Sequence, residues 1–442
     1  MRIIPFLCFF FLCVELNAQQ ELMLQSSPEL WHSNATNPAF FPKDKRIAIG
    51  LPGYSIDAAH SGSLTYNDVF VKRNGVRYID FSNAIDQLGP ENTLHFDQRI
   101  ETVSIGLKLS KKWIIQGGHA NRLTGAITYP KDLAALLWNG NGPYIGKTLS
   151  IGPKVNLFDW NEWSVGLMRT FGRLTIGGKV KFLTGISSLE TDINHHKAEV
   201  YTNPDIYQLS LNTDYAFHTS SIISAFDTSG YGFKVAVGSL KGKAFSANTG
   251  LAYDFGFNWQ LTKRLRVSAS VLDWRGKINW TEKANYYKSN GTYSYEGVTF
   301  PGTDIINNGD SLNFNNKLDT LNDIFNFKKT PEHFSTSLPA RYYASIGFTL
   351  NDRWTFGVNY FKQTGAQSHT ALGFSARWSP LKWAAFGAMY SINDRSAANL
   401  GLQLIGKLGP VQLYLMSDNL ANALSVKNTP AFNLRAGASV VF

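Results

Sequence analysis

Few side chains in this chain are spaced to do covalent chemistry. His195 and His196 follow Asp192 closely enough to suggest a metal site. Adjacent residues on a strand point to opposite faces, however, so the two imidazoles make a poor chelate. An exposed polar loop is the plainer reading. His119 is a base that Ser164 or Ser104 could meet on the lipid side of neighbouring strands, but no spacing singles out such a pair. GxSxG, HExxH and Walker loops do not occur. The residues point away from an enzyme, and they call for no cofactor and no metal.

Charges at regular phases of apolar segments are more informative. Lys108, Lys179, Lys181, Asp254, Arg266, Arg377 and Arg435 each sit at a polar phase of an alternating stretch. A charge facing lipid at mid-depth costs about 2–4 kcal/mol. Such side chains belong in an interior, where they either pair across it or attract anions through an opening.

Strands must position them. Leu265, Val267, Ala269 and Val271 alternate with Arg266, Ser268 and Ser270. Trp354, Phe356, Val358 and Tyr360 alternate with Thr355, Gly357 and Asn359. The same period of two recurs from about residue 100 to the end, where Leu434, Ala436, Ala438, Val440 and Phe442 form one face. A soluble sandwich turns such an apolar face inward; a membrane barrel turns it to lipid. Aromatic residues at strand ends (Trp259, Tyr342, Trp354, Trp378, Tyr390) and strands near the length that crosses hydrocarbon favour the barrel. The fold class expected is all-β, a transmembrane antiparallel barrel of about 14 strands (14–16). An open edge cannot survive in lipid, so the last strand must pair with the first.

Bulk properties agree. The chain has 442 residues, with 44% hydrophobic, 14% aromatic and only 17% charged residues, below the usual quarter of a soluble domain. Residues 1–18 read as a secretory signal peptide: Arg2, an apolar run from Ile3 to Val14, then Leu16-Asn17-Ala18. A lipoprotein signal ending at Cys13 is disfavoured by the bulky Leu12. Both cysteines, Cys8 and Cys13, fall inside the signal, so the remaining chain has no disulfide framework. The net charge of +10 comes from scattered Lys and Arg, a poor footprint for nucleic acid.

Short connections (Ser110–Lys112, Gly172–Arg173, Thr262–Arg264, Asn351–Arg353, Ser379–Lys382, Gly406–Gly409) alternate with longer ones. Bacterial barrels keep short turns in the periplasm and long loops outside. Residues 19–44 form a segment ahead of the barrel, residues 45–442 the barrel itself, and residues 274–340 a long extracellular insertion. Tyr286, Tyr287, Tyr293 and Tyr295 in that insertion either bind a ligand or partner or form a small core of their own. A short helix is expected over Lys131–Trp138.

The segment SNATNPAFFP, Ser33–Pro42, holds Asn37-Pro38-Ala39 just ahead of the first strand. The early NPA, the even-stranded barrel and the terminal Phe442 together resemble the FadL-like outer-membrane proteins. With RIAIGLPGYS (Arg46–Ser55), SVLDWRGKINW (Ser270–Trp280) and FSTSLPARYYASIGF (Phe334–Phe348), they are similar to a Bacteroidota branch that includes PorV and PorP/SprF-like proteins. The resemblance implies a 14-stranded barrel whose N-terminal segment plugs the lumen through Asn37, Pro38 and Ala39; a plain turn into the first strand is the other reading. It implies that Phe442 and Val440 form the C-terminal signal read by the barrel-assembly machinery. It also implies passage of a hydrophobic small molecule through the outer membrane. The alternative is a structural or partner-binding component of a secretion or surface assembly of the type IX kind. The partners expected are outer-membrane lipid, the assembly machinery, and a hydrophobic small molecule or a protein.

Overall fold

A computed structural model describes residues 22–61, 64–73, 76–221, 246–295, 325–365, 368–393, 396–419 and 431–442. The expected signal peptide lies outside the described residues. Fourteen strands close into an antiparallel barrel. They are β1 (Ile47–His60), β2 (Glu91–Lys108), β3 (Trp113–Pro130), β4 (Lys154–Phe171), β5 (Leu174–Thr202), β6 (Thr249–Gln260) and β7 (Leu265–Trp280). The circle continues with β8 (Arg341–Thr349), β9 (Trp354–Gln363), β10 (His369–Leu381), β11 (Ala384–Asn393), β12 (Ser396–Leu408), β13 (Val411–Ser417) and β14 (Ala431–Val441).

Each strand pairs with the next, and β14 pairs with β1 from Ala48↔Val441 to Ala59↔Ala431. The terminal carbonyl of Phe442 accepts the N–H groups of Arg46 and Ile47, and its own N–H donates to Ile47 O at 2.8 Å. Among the described residues every wall strand pairs on both sides, which is what a hydrocarbon surround demands. No described helix is long and apolar enough to cross a membrane.

The period-two pattern resolves into two faces. Ile105, Val165, Phe182, Ile346, Phe374 and Leu404 stand exposed on the outside. Ser55, Glu162, Lys181, Asp254, Asn359, Gln403 and Arg435 are buried inside. This is the inverted arrangement of a membrane-spanning barrel.

The short turns share one end. Gly172 and Gly409 adopt positive φ (60° and 61°) there, where a Cβ would be strained. Asn351 Oδ1 accepts from the N–H groups of Arg353 and Trp354. Two turns are tighter than expected: β10 runs on to Leu381 and β12 to Leu408.

At the opposite end β5 outruns the wall, at 29 residues. Its upper half pairs with Leu209–Ser220, which pairs with Ala284–Tyr295, which pairs in turn with Lys328–Pro331. Helix α1 (Lys131–Asn139), one residue longer than expected, lies near this outer sheet. Leu136, Leu149, Val200, Leu211, Tyr215, Phe217 and Tyr287 form a core there separate from the barrel.

The insertion begins later than the sequence suggested. β7 does not leave the wall at Trp274 but continues to Trp280, after Asp273 and Arg275 take φ of 56° and 54°. Those two left-handed residues break the alternation that defines a strand in the sequence.

Candidate functional site in the barrel lumen

Residues 22–42 run inside the barrel. They form a helical turn at Leu22–Gln25 and a 3-10 turn at Trp31–Ala35. One side is apolar: Leu22, Met23, Leu24 and Leu30 pack against Tyr343, Phe361, Met389, Ile405 and Met416 on the inner face of β8–β13. The other side is pegged by hydrogen bonds. Asn34 Nδ2 donates to Gln116 Oε1 at 2.7 Å, Trp31 Nε1 to Ser104 Oγ at 2.8 Å, and Ser270 Oγ to Thr36 O at 2.6 Å. Gln412 accepts from the Trp31 N–H and donates to Glu29 O.

The structure places Asn37, Pro38 and Ala39 within this segment, all buried. Asn37 Oδ1 accepts from the Ala39 N–H at 2.9 Å, closing a local Asx turn. Its Nδ2 donates to the wall carbonyls of Phe257 (3.1 Å) and Ala269 (3.2 Å). Gln116 Nε2 donates to Pro38 O at 2.9 Å. Two wall glycines make the room: a Cβ on Gly177 would lie 2.1 Å from Pro38 O, and one on Gly256 2.3 Å from Asn37 Oδ1.

Beside the segment lies a layer of buried ions. Asp273 accepts from Lys181 Nζ at 2.7 Å, Arg122 at 3.0 Å and Arg341 at 2.7 Å. Lys181 also lies 3.0 Å from Asp254 and 3.7 Å from Glu162. Arg99 pairs with Glu162 and reaches Glu101 at 3.9 Å. An unpaired ion here would cost several kcal/mol, so the layer holds only because each charge meets opposite ones.

Of the charges singled out in the sequence, Lys181 and Asp254 belong to this layer. Lys179 Nζ donates to Asn34 O, and Arg377 pairs with Glu29, so both hold the N-terminal segment. Arg435 lies elsewhere on the wall, 3.4 Å from Asp418 and 3.0 Å from Ser55 Oγ. Arg266 reaches toward Gly347, and Lys108 is half-buried, its N–H bonded to Arg46 O near the short-turn end. Asp273, Arg122, Glu162 and Arg341 were missed. Only the break in alternation at Asp273-Trp274-Arg275 could have drawn notice to the first.

The wall itself has a weak stretch. Between Gly50↔Ser104 and Gly53↔Glu101, the residues Leu51-Pro52 of β1 and Thr102-Val103 of β2 do not pair. Pro52 has no N–H to offer a ladder. Behind this gap, His32 Nε2 lies 3.2 Å from Leu51 O. Two cavities of about 20 Å³ flank the segment, one beside His32, Gly53 and Arg435, the other beside Trp31, Glu101 and Gly117. Each has room for about one water.

The remaining candidates separate. Ser164 Oγ donates to Gly118 O, and Ser104 Oγ takes part in the lumen network with Trp31. His119 lies on the opposite face of the wall, so neither serine meets it. His195 Nδ1 contacts Asp214 (2.8 Å), His196 Nδ1 contacts Ile193 O, and Asp192 accepts from the Tyr286 hydroxyl (3.1 Å). No group of three or more His, Cys, Asp or Glu that could hold a metal occurs among the described residues. Tyr287 is buried in the outer core against Phe217, and Tyr293 packs on that core. Tyr286 lies on the other face beside His218. Tyr295 ends the strand opposite Leu209; its side chain is outside the described ones. Val440 and Phe442 occupy the outward phase of β14, Phe442 exposed.

In the outer sheet Tyr286, Tyr215 and Asp192 titrate away from their ordinary values. Burial, reinforced by the hydrogen bond to Asp192, pushes Tyr286 up to about 12. Burial pushes Tyr215 up to about 12 as well, against a hydrogen bond with Thr191. Burial raises Asp192, but the Asn194 N–H and the Tyr286 hydroxyl outweigh it and hold the carboxyl below its usual range.

No curated protein matches this chain. Among solved structures it is similar to a mutant of the TodX monoaromatic hydrocarbon channel (10% identity, 92% of this chain and 93% of that chain, TM-score 0.45). It is also similar to the Pseudomonas putida toluene transporter TodX (10% identity, 97% and 98%, TM-score 0.42). A third is a Pseudomonas aeruginosa FadL homologue (10% identity, 92% and 91%, TM-score 0.41). Likeness at this level transfers no cargo. The chain matches the family of unknown function DUF5723 over residues 38–418, and it belongs to that family.

Proposed function

We propose that this protein is a non-enzymatic, FadL-like outer-membrane barrel that passes a hydrophobic small molecule, with residues 22–42 as the part that moves aside. The observation that carries this reading is the lining of the lumen. Tyr343, Phe361, Met389, Ile405 and Met416 form an apolar inner surface covered by Leu22, Met23, Leu24 and Leu30. Withdrawal of the segment would leave an apolar lining, the surface a hydrophobic solute needs. The interrupted ladder between β1 and β2 gives such a solute a weak place in the wall.

A second reading has its own support. The outer sheet carries a separate core and stands clear of the wall, which suits a partner-binding component of a secretion or surface assembly. Uptake of a fluorescent fatty acid or a small aromatic by cells carrying the protein tests both. Faster uptake than with the empty vector, altered by deletion of residues 22–42, supports passage. No uptake, together with a protein retained stoichiometrically through the outer sheet, supports the second reading and sinks the first.

A further inference from the structure

Toward the end of the wall away from the short turns, β7 changes which side chains it sends outward. Tyr253 of β6 lies opposite Trp274 and Leu251 opposite Lys277, so Ala252 alone faces both Arg275 and Gly276. The extra residue makes a bulge, a device that re-aims a side chain. Arg275 takes φ 54°, a conformation uncommon for a residue other than glycine. Gly276 is buried against Leu338, whereas Arg275 is exposed, its guanidinium 4.6 Å over the Trp274 ring. Lys277 is exposed on the outer face beside the exposed Leu251. A third cation, Lys362 of β9, is exposed opposite Tyr342 of β8.

The outer face here is layered. The lowest row is aromatic: Phe255, Trp274 and Tyr342 are all exposed, and the Phe255 and Trp274 rings meet edge to face at 5.9 Å. Arg275 and Lys277 stand above them. Above these comes an uncharged polar row, Thr249 opposite Asn279 and Asn279 opposite Ser335, again exposed.

Height places the cations. A tilted strand rises about 2.5 Å per residue, so Leu251, level with Lys277, stands about 22 Å above Gln260 at the short-turn end. By the same rise Lys362 stands about 20 Å above Trp354. The apolar band of such a barrel is about 25 Å tall. All three cations therefore reach its upper border, and their long stems carry the charge into the headgroups.

Their charge is not met by the protein. Among the described residues none of the three side chains makes an ion pair. The carboxylates of β6–β9 are Asp254 and Asp273, both buried and both paired with Lys181 in the lumen.

We infer that this face holds a glycolipid of the outer leaflet that carries two phosphates. An acyl chain lies against Trp274 and Tyr342, the phosphates meet Arg275, Lys277 and Lys362, and the sugar reaches the polar row. Guanidinium and ammonium groups are strong partners for phosphate oxygens. The cations spread across β7 to β9, about 10 Å of wall, which suits two phosphates better than the single one of a phospholipid. The inference rests on reading the apolar outer face as lipid-facing and the short turns as periplasmic. Extraction of the protein without detergent would sink that reading, whereas lipid selectivity bears on the site alone.

The test is native mass spectrometry of the full barrel in mild detergent. The probes are a diphosphorylated lipid A, the same glycolipid stripped of phosphate, and phosphatidylglycerol. The expected result is one retained diphosphorylated glycolipid, favoured about tenfold or more over either other lipid. Arg275→Asn, which keeps the left-handed conformation open, combined with Lys277→Gln should erase most of that preference and leave retention of the stripped glycolipid unchanged. Equal retention of the phosphorylated and stripped forms by the unaltered protein overturns the proposal. So does phosphatidylglycerol held as well as the glycolipid, or a preference that survives the double variant. Should the double variant fail to fold, as read by loss of heat-dependent gel mobility, Lys277→Gln alone decides: an undiminished preference overturns the site.

Discussion

The backbone N–H of Met23 donates to Asp418 Oδ1 at 2.8 Å, joining the start of the lumenal segment to the wall just past β13. The same carboxylate reaches Arg435 through its other oxygen at 3.4 Å, and the Asp418 N–H donates to Asn433 Oδ1. One residue thus holds the segment and a buried cation through its carboxylate, and the neighbouring strand through its N–H as well. Asp418→Ala removes a charged hydrogen bond from the segment, about 1.5–3 kcal/mol. With both cysteines in residues 1–18, Ser26→Cys gives a single reporter in the rest of the chain. Its labelling by an impermeant maleimide should quicken about tenfold or more in the Asp418→Ala background. Equal labelling in both backgrounds would mean that other pegs hold the segment without Asp418.

Gly177 offers a sharper way to move the same segment. Its Cβ would lie 2.1 Å from Pro38 O and 2.8 Å from the Ala39 N, both backbone atoms that no rotamer can clear. Gly177→Val should therefore drive Asn37–Ala39 off the wall while favouring the strand in which it sits. The expected outcome is a folded barrel with raised single-channel conductance in a planar bilayer. Conductance equal to that of the unaltered protein would show that the segment can shift and still seal the lumen.

The barrel was legible because its rule is local. Each wall strand shows its two faces within ten residues, and β14 shows them at the chain end from Leu434 to Phe442. The strand count was less sharp. Leu209–Ser220 has the length and alternation of a wall strand, yet it stands in the outer sheet beyond the barrel. Periodicity reports a buried face, not which core buries it. The lumenal charges were legible by phase, as at Lys181, but their partners were not. Asp273 lies 92 residues from Lys181, and pairing at that separation is decided by barrel closure. Nor could alternation foresee the left-handed step at Asp273 that turns its carboxylate to three cations.

That step sets up a clean test of the ion layer. Asn tolerates the left-handed region nearly as well as Asp, so Asp273→Asn removes charge and leaves the backbone conformation open. Lys181, Arg122 and Arg341 would then face one another with their common anion gone. Breaking a buried pair by removing one partner costs about 3–5 kcal/mol. A fall of that order should appear in guanidinium unfolding of the detergent-solubilised barrel. Asp192→Asn, in the outer sheet, serves as the control that should leave the barrel transition in place.

The outer sheet should answer to pH through its tyrosines. An unfolded tyrosine loses its proton near pH 10, whereas Tyr286 and Tyr215 hold theirs to about 12. The folded state keeps more protons in that interval, so stability falls as pH rises through it. The contribution is complete below about pH 10 and lost above about pH 12. Asp192 works the other way: its lowered value contributes above the ordinary carboxylate range and is lost as pH falls through the folded value. Near-ultraviolet circular dichroism should show the outer sheet loosening in the alkaline interval. Tyr286→Phe should make the alkaline loss shallower and leave that of Tyr215; an unaltered profile would remove Tyr286 from the account.

Phe442 joins a set of backbone hydrogen bonds to an exposed ring, and a variant series can separate the two. Its backbone closes the barrel, accepting from Arg46 and Ile47 and donating to Ile47 O. Its ring stands exposed on the lipid side and takes no part in the lumen core, where Val441 packs with Trp31 and Met168. Deleting Phe442 removes both the backbone bonds and the ring, whereas Phe442→Ala keeps the backbone bonds and removes only the ring. If the ring serves as the assembly signal, Phe442→Ala should lower the yield of heat-modifiable barrel in cells, and Phe442→Tyr should restore it. Refolding of the purified chain into detergent should then be nearly the same for the unaltered protein, Phe442→Ala and Phe442→Tyr, because surface substitutions of this kind change stability by about 0.5 kcal/mol or less. A yield that drops only on deletion would place the requirement in the Ile47–Phe442 ladder and leave the ring without a role in assembly.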